Sequence, residues 1–272
     1  MLSGLAHLGV WLFLGGQWEG PVSWRKPILF GISTGMTVFS VGWLVPKLQP
    51  KKFDMLLCSV FGISLVVEVA LITVQQWRGV ASHFNHDGYL NTVIENWMSY
   101  LIVAATLLLA ELTRRSFVRL DAPSDVRLAI RGGMGFLMAS CLIGFAILYH
   151  GNAEVAVGND PSTYGKAGVT KFPHGVAIHS LQLFPLACWV MAKLRFTIEQ
   201  RTRLISYLIA STTMLLLFSA IQTLSGQSRF DLTFGGASCL AIAAICLLPL
   251  LAAFVRQFKL LTNIQQDTGL GL

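Results

Sequence analysis

Seven stretches of the chain, at residues 27–46, 53–76, 91–112, 128–149, 175–193, 203–224 and 232–255, are almost uninterrupted runs of apolar residues. A helix needs about 20 such residues to cross the ~30 Å hydrocarbon core of a bilayer, and there it satisfies its own backbone without a partner. The pattern predicts an all-α fold, a polytopic transmembrane helical bundle of about seven spans. With 54% of residues hydrophobic and 12% charged, the chain carries about half the charge of an average soluble domain. The lipid bilayer is therefore its first expected partner.

The N-terminal segment MLSGLAHLGVWLFLG is apolar but too short to span, and it lacks the leading basic residues of a secretory signal. It is expected to be a retained interfacial or re-entrant half-helix over residues 1–16, with Trp11, Trp18 and Trp24 as interface anchors. No Ser/Pro-rich linker or acidic tail follows, so residues 1–272 read as a single integral membrane domain.

A net charge of +7 raises nucleic acid as a partner, but the placement of the cations argues against that reading. Lys47, Lys51, Lys52, Arg114, Arg115, Arg119, Arg127, Arg131, Lys193, Arg195, Arg201, Arg203, Arg256 and Lys259 fall in one set of alternate loops. Only Arg25, Lys26, Arg78, Lys166, Lys171 and Arg229 fall in the other. The positive-inside rule then puts the N-terminus outside and the C-terminus in the cytoplasm. Cys58, Cys141, Cys188, Cys239 and Cys246 all lie in spans with no C-x-x-C pair, which points to packing rather than redox chemistry or disulfides.

On that topology all six histidines share the outer side: His7, His83, His86, His150, His174 and His179. Imidazole is the commonest metal ligand and carries protons near neutral pH. His83, His86, His174 and His179 are the candidate ligands for a metal ion (zinc, iron or copper) or a haem, although their spacing matches no zinc signature. Ser64, Glu68, Gln75 and Gly79 form one stripe down the second span. An ionisable group as deep as Glu68 is costly and belongs in a bundle interior or wet cavity. Asn91, Glu95 and Ser99 mark the third span, His179 and Gln182 the fifth, and Ser211, Ser219 and Gln222 the sixth. Together they suggest a polar cavity opening outward. Arg78 and Arg229 are placed to clamp a phosphate, carboxylate or haem propionate, a lipid or small anionic ligand being a candidate partner, and Ser82 and Asn85 flank His83.

Structural roles compete with these. Thr92 and Glu95 also read as a capping box at the start of the third span. His7 reads as a satisfied or interfacial residue, His150 as a solvated helix end, and Asp231 as the N-cap of the seventh span. Arg78 has Asp87 or Glu95 as alternative partners. The stretch 150–174 reads as a structured loop, and Pro185 should kink the fifth span.

The strings WRKPILFGIS at 24–33, QQWRGVASHFN at 75–85 and PHGVAIHSLQLFPL at 173–186 resemble a family of bacterial polytopic membrane proteins. The resemblance covers most of the chain in the same order and implies that Arg78, Ser82, His83, Asn85, His174, His179 and Gln182 act as one unit. It implies a bacterial inner-membrane location but no activity. Alkaline ceramidases have an H-x-x-x-H pair in the last span, and rhodopsins a Schiff-base lysine there; neither occurs between Leu232 and Val255. Two functions stand as expectations. One is a metal- or haem-binding membrane oxidoreductase or hydrolase, with Glu68, Glu95 and Ser82 in catalytic roles; the other is a proton-coupled transporter or small-ligand receptor without bound metal.

Overall fold

A computed structural model describes residues 1–268, with side chains as far as Lys259. A short helix α1 (Leu2–Leu14) precedes α2 (Arg25–Leu44), which runs into a 3-10 turn at Val45–Lys47. Helices α3 (Asp54–Trp77), α4 (Tyr89–Val118) and α5 (Ser124–Ala156) follow. A small antiparallel hairpin, β1 (Thr163–Tyr164) and β2 (Gly168–Val169), leads to α6 (Lys171–Ile178), α7 (Ser180–Lys193), α8 (Ile198–Leu224) and α9 (Phe234–Thr268). The protein is an all-α membrane-type bundle, with seven segments among the described residues long and apolar enough to cross a bilayer and α1 a shorter apolar helix. Large apolar side chains such as Ile63, Val66, Leu107, Trp189 and Leu251 are exposed, as lipid-facing residues should be.

The chain forms two compact units, Met1–Asp121 with Gly144–Pro161, and Ala122–Ile143 with Ser162–Leu272. In the first unit α1 lies against α2 at a glycine contact. A Cβ on Gly4 would stand 2.7 Å from the Ile28 carbonyl oxygen, and one on Gly31 would stand 2.6 Å from the Gly4 nitrogen. Such small residues let helix backbones approach in lipid. His7 is bound on both ring nitrogens, Nδ1 to the Ser3 carbonyl at 2.7 Å and Nε2 to the Trp77 indole N–H at 3.1 Å. It is a satisfied residue, which ties α1 to the end of α3. Ile72, Ile94 and Met98 form the apolar core between α3 and α4, with Phe30 of α2 against them. Arg115, 5% exposed at the side chain, grips Asp54 through two hydrogen bonds and the Gln49 carbonyl through a third.

In the second unit Ala129, Phe184, Cys188, Met191, Phe196, Leu204 and Ile205 make the core. The small residues of RGGMG admit a close crossing, since a Cβ on Gly133 would stand 2.6 Å from the Leu181 Cα. Here too a buried carboxylate meets an arginine, Asp125 Oδ2 to Arg201 Nε at 2.6 Å. Thr197 and Gln200 form a full capping box at the start of α8.

Several boundaries differ from the sequence reading. Helix α5 continues through HGNAEVA to Ala156, since an isolated glycine is tolerated within a helix at a cost of about 1 kcal/mol, so His150 lies within the helix, 3.8 Å from Glu154 one turn on. The remainder of 150–174 holds the hairpin and the start of α6 instead of loop alone. Asp231 does not cap α9; Thr233 Oγ1 accepts from the Gly236 N–H at 3.0 Å, while Asp231 accepts from Ser228. Helix α4 starts at Tyr89 behind Gly88, so Thr92 sits inside its first turn and donates to the Gly88 carbonyl. The capping box with Glu95 is therefore not formed.

Candidate functional site

The geometry around His83 begins at the end of α3. Val80 N–H bonds to Gln75 C=O and Gly79 N–H to Gln76 C=O, with Gly79 at φ +70°. This pairing closes a helix when a left-handed residue follows its C-cap, and glycine adopts that conformation without a Cβ clash. The turn sends residues 78–88 back along the unit, and Ser82 and Asn85 become 3% and 7% exposed. Asn85 fastens the loop internally: its amide donates to the Ala81 carbonyl at 2.9 Å and its oxygen accepts from Asp87 N–H.

This return brings His83 to Glu68, nine residues before the end of α3 and so about 13 Å of helix rise from it. His83 Nε2 stands 3.6 Å from Glu68 Oε1, with side-chain exposures of 15% and 6%. Ser82 Oγ lies 3.1 Å from the other ring nitrogen, Nδ1. The second carboxylate, Glu95, takes a hydrogen bond from the Phe84 backbone, and Glu68, Glu95 and Lys26 lie within electrostatic reach of one another. One oxygen of each carboxyl, Glu68 Oε2 and Glu95 Oε2, is buried without a hydrogen-bond partner among the described residues. Chemically this is a base, two acids and a cation in an apolar surround, able to hold a proton in more than one arrangement.

Arg78 pairs with neither Asp87 nor Glu95. Its guanidinium donates to Gln75 Oε1 and to Asn91 Oδ1, the latter at 2.9 Å, and Gln75 Nε2 donates to Asn91 Oδ1 at 3.2 Å. Gln75 is fully buried. The two amides are thus spent on fixing Arg78 and the α3–α4 turn. His86 is exposed and lies 3.1 Å from Asn152 Oδ1.

In the second unit the motif PHGVAIHSLQ straddles a break. Helix α6 ends at Ile178, His179 takes φ −99° and ψ 11°, and α7 starts at Ser180. The interruption lies at His179, six residues before Pro185, which itself sits inside α7. His174 Nδ1 is 2.9 Å from the Ser140 carbonyl oxygen, and Ser140 Oγ donates to the His174 carbonyl at 3.1 Å. With Nδ1–H donating to that carbonyl, Nε2 is the acceptor nitrogen of His174. Ser180 Oγ and both amide atoms of Gln182 are buried without hydrogen-bond partners among the described residues. Arg229 is exposed, with its guanidinium carbon 6.0 Å from the Phe172 ring centre. In the sixth span, Ser211 and Ser219 bond to the carbonyls of Ala243 and Leu216, and Gln222 bonds to the loop before α9. Those three polar groups are engaged in packing rather than lining a cavity.

Of the four candidate metal ligands, His83 and His86 belong to the first unit and His174 and His179 to the second. Among the described residues, no three His, Cys, Asp or Glu side chains are gathered as a metal ion would require. Ser140 and Asn152 were not singled out from the sequence, and a lone serine or asparagine on a helix gives no signal there. No family model matches the chain, and no curated protein or solved structure is similar to it.

Proposed function

We propose that this multi-pass protein is a carrier that couples movement of a small solute to protons, with the proton held by Glu68, His83 and Glu95. The observation that carries the reading is the 3.6 Å approach of His83 Nε2 to Glu68 Oε1 inside an apolar unit. Ionisable groups at membrane depth mark proton relays and ion paths. At 3.6 Å the pair sits just beyond hydrogen-bonding distance, so a shift of a few tenths of an ångström makes or breaks direct contact. Glu95 supplies a second acid to receive the proton, and Lys26 a charge that responds to it. The broken fifth span, with Gln182 and Ser180 beside the interruption, supports a solute site, because discontinuous membrane helices expose backbone groups to substrates. The cation distribution supports an orientation with the N-terminus outside.

Purified protein reconstituted on a solid-supported membrane tests this directly. Jumps of a panel of small anionic, zwitterionic and neutral solutes should evoke a proton-dependent current with at least one class, abolished in Glu68→Gln. Currents equal to those of protein-free vesicles across the whole panel refute the carrier. Stoichiometric zinc, iron or copper in the purified protein, or a Soret band, would instead favour the metal or haem alternative.

A further inference from the structure

A second candidate site lies in the second unit, near the N-terminus of α8 and the later turns of α9. A cavity of about 460 Å³ opens there, lined by Arg203, Arg256, Gln200, Gln257, Tyr207 and Pro249 among others. Its origin is local. Pro249 cannot extend the backbone ladder of α9, and the next turn carries only Ala252 and Ala253 on this side. The two helices consequently leave space where larger side chains would meet.

The two arginines are what make the space informative. Arg201, in the same turn of α8, is committed to Asp125 at 2.6 Å and to the Phe196 carbonyl. Among the described residues no carboxylate lies within ion-pair distance of Arg203 or Arg256. Both are exposed and border one cavity. Glu199, on the first turn of α8, is the nearest acid in sequence, and it too is exposed. The amides have structural duties: Gln200 completes the capping box, and Gln257 donates to the Leu194 carbonyl at 2.8 Å. That leaves the guanidinium groups and the Tyr207 hydroxyl as groups available to a ligand.

Depth and surroundings identify the ligand class. Arg203 is five residues into α8, about 8 Å along its axis, and Arg256 lies in the last turns of the seventh apolar segment. Each is therefore near the end of a span, at headgroup depth. Leu248, Leu251 and Val255 beside the cavity are exposed, so lipid chains run past it. The volume equals that of roughly fifteen liquid waters, more than one inorganic phosphate fills. We propose that this cavity binds the phosphodiester headgroup of an anionic phospholipid, with Arg203 and Arg256 clamping the phosphate from two helices. The site is independent of the Glu68–His83 pair.

The test uses the full chain in a neutral detergent, titrated with a short-chain phosphatidylglycerol while thermal stability is followed. Wild type should show a saturable rise, and phosphatidylcholine or inorganic phosphate at equal concentration should not. In Arg203→Gln/Arg256→Gln the half-saturating concentration should rise roughly thirtyfold, at the usual contribution of a basic residue near anionic lipid. A matched pair of exposed cations in the first unit, Lys52→Gln/Arg119→Gln, should leave it unchanged. Equal weakening in both double variants would mean a general field and overturn the site. An equal response to inorganic phosphate would make it a free-anion site, and absence of saturation would remove it altogether.

Discussion

Replacing Glu68 with glutamine separates a working proton site from a static ion pair. At 3.6 Å and an effective dielectric near 20, an ionised Glu68–His83 pair attracts by about 5 kcal/mol. Withdrawing each ion from water opposes this by several kcal/mol. The two contributions are opposed and of the same order, so the environment decides whether the pair is ionised or neutral, and a small movement of either group shifts where the proton sits. Glutamine keeps the shape and a polar head while removing the charge and the exchangeable acid. Glu68→Gln should therefore change stability by no more than about 1 kcal/mol, the net worth of one hydrogen bond, because the His83 imidazole left behind can stay neutral, yet abolish the proton-dependent current. His83→Ala should behave differently, costing about 3 kcal/mol because it leaves the buried acid without its base. Reversible denaturation in mixed micelles gives both stabilities. If Glu68→Gln is as destabilising as His83→Ala and the current survives, the pair is structural and the reasoning fails.

Three other outcomes test the frame around the site. Arg115→Met should destabilise the protein by about 1–3 kcal/mol by removing charge-assisted hydrogen bonds to Asp54 and to the Gln49 carbonyl, whereas Asp54→Asn should cost less than Arg115→Met because Asn can still accept from the guanidinium, read by a denaturation double-mutant cycle. Gly4→Leu should drive α1 off α2, because even a Cβ would meet the Ile28 carbonyl at 2.7 Å; increased proteolysis of the first segment and changed tryptophan emission would report it, and an unchanged wild-type pattern would refute the contact. Arg195, a non-glycine residue at φ +62° closing α7, should tolerate Arg195→Gly with a gain of about 1 kcal/mol, seen as a raised Tm.

The seven spans were legible because hydropathy along a chain reports directly on membrane burial, and each apolar run maps onto one long apolar segment, the fifth of them interrupted at His179. Glu68 was legible for the same reason, since an acid in such a run needs a partner. Its partner was not. The approach of His83 depends on a left-handed Gly79 and on Gln75 and Asn91 fixing the turn, all long-range consequences of where α4 begins. That start was misread from local chemistry: Thr92 and Glu95 have capping-box spacing, but Gly88 and Asp87 supply an earlier entry to the helix. The box that does form, Thr197 with Gln200, has the same spacing and differs only in that nothing upstream begins the helix sooner. The partners of the histidine rings were not legible either: Trp77 for His7, Glu68 for His83, Asn152 for His86 and Ser140 for His174 all come from positions 15 or more residues away, and residue type alone does not encode such pairings.

The loop that presents His83 carries its own sign of function. Phe84 adopts φ +59°, a conformation that costs a bulky residue roughly 1–2 kcal/mol and persists only where surrounding structure dictates it. Here the dictating contact is Gly151 on α5, where a Cβ would stand 2.4 Å from the Phe84 ring. The ring packs against Gly151, where no side chain intervenes, and the same residue donates its backbone N–H to Glu95. Strain in Phe84 is thus coupled on one side to His83, its chain neighbour, and on the other to the second carboxyl. Gly151→Ala adds one methyl group outside the polar cluster, yet it should push the Phe84 ring away and carry His83 with it. The expected result is a protein that folds, destabilised by about 1–3 kcal/mol as overpacked sites are, and whose proton-dependent current falls severalfold. Combining it with Phe84→Leu, which shortens the ring, should restore current along with stability. Loss of stability with undiminished current would show that the strained loop positions nothing that the proton uses.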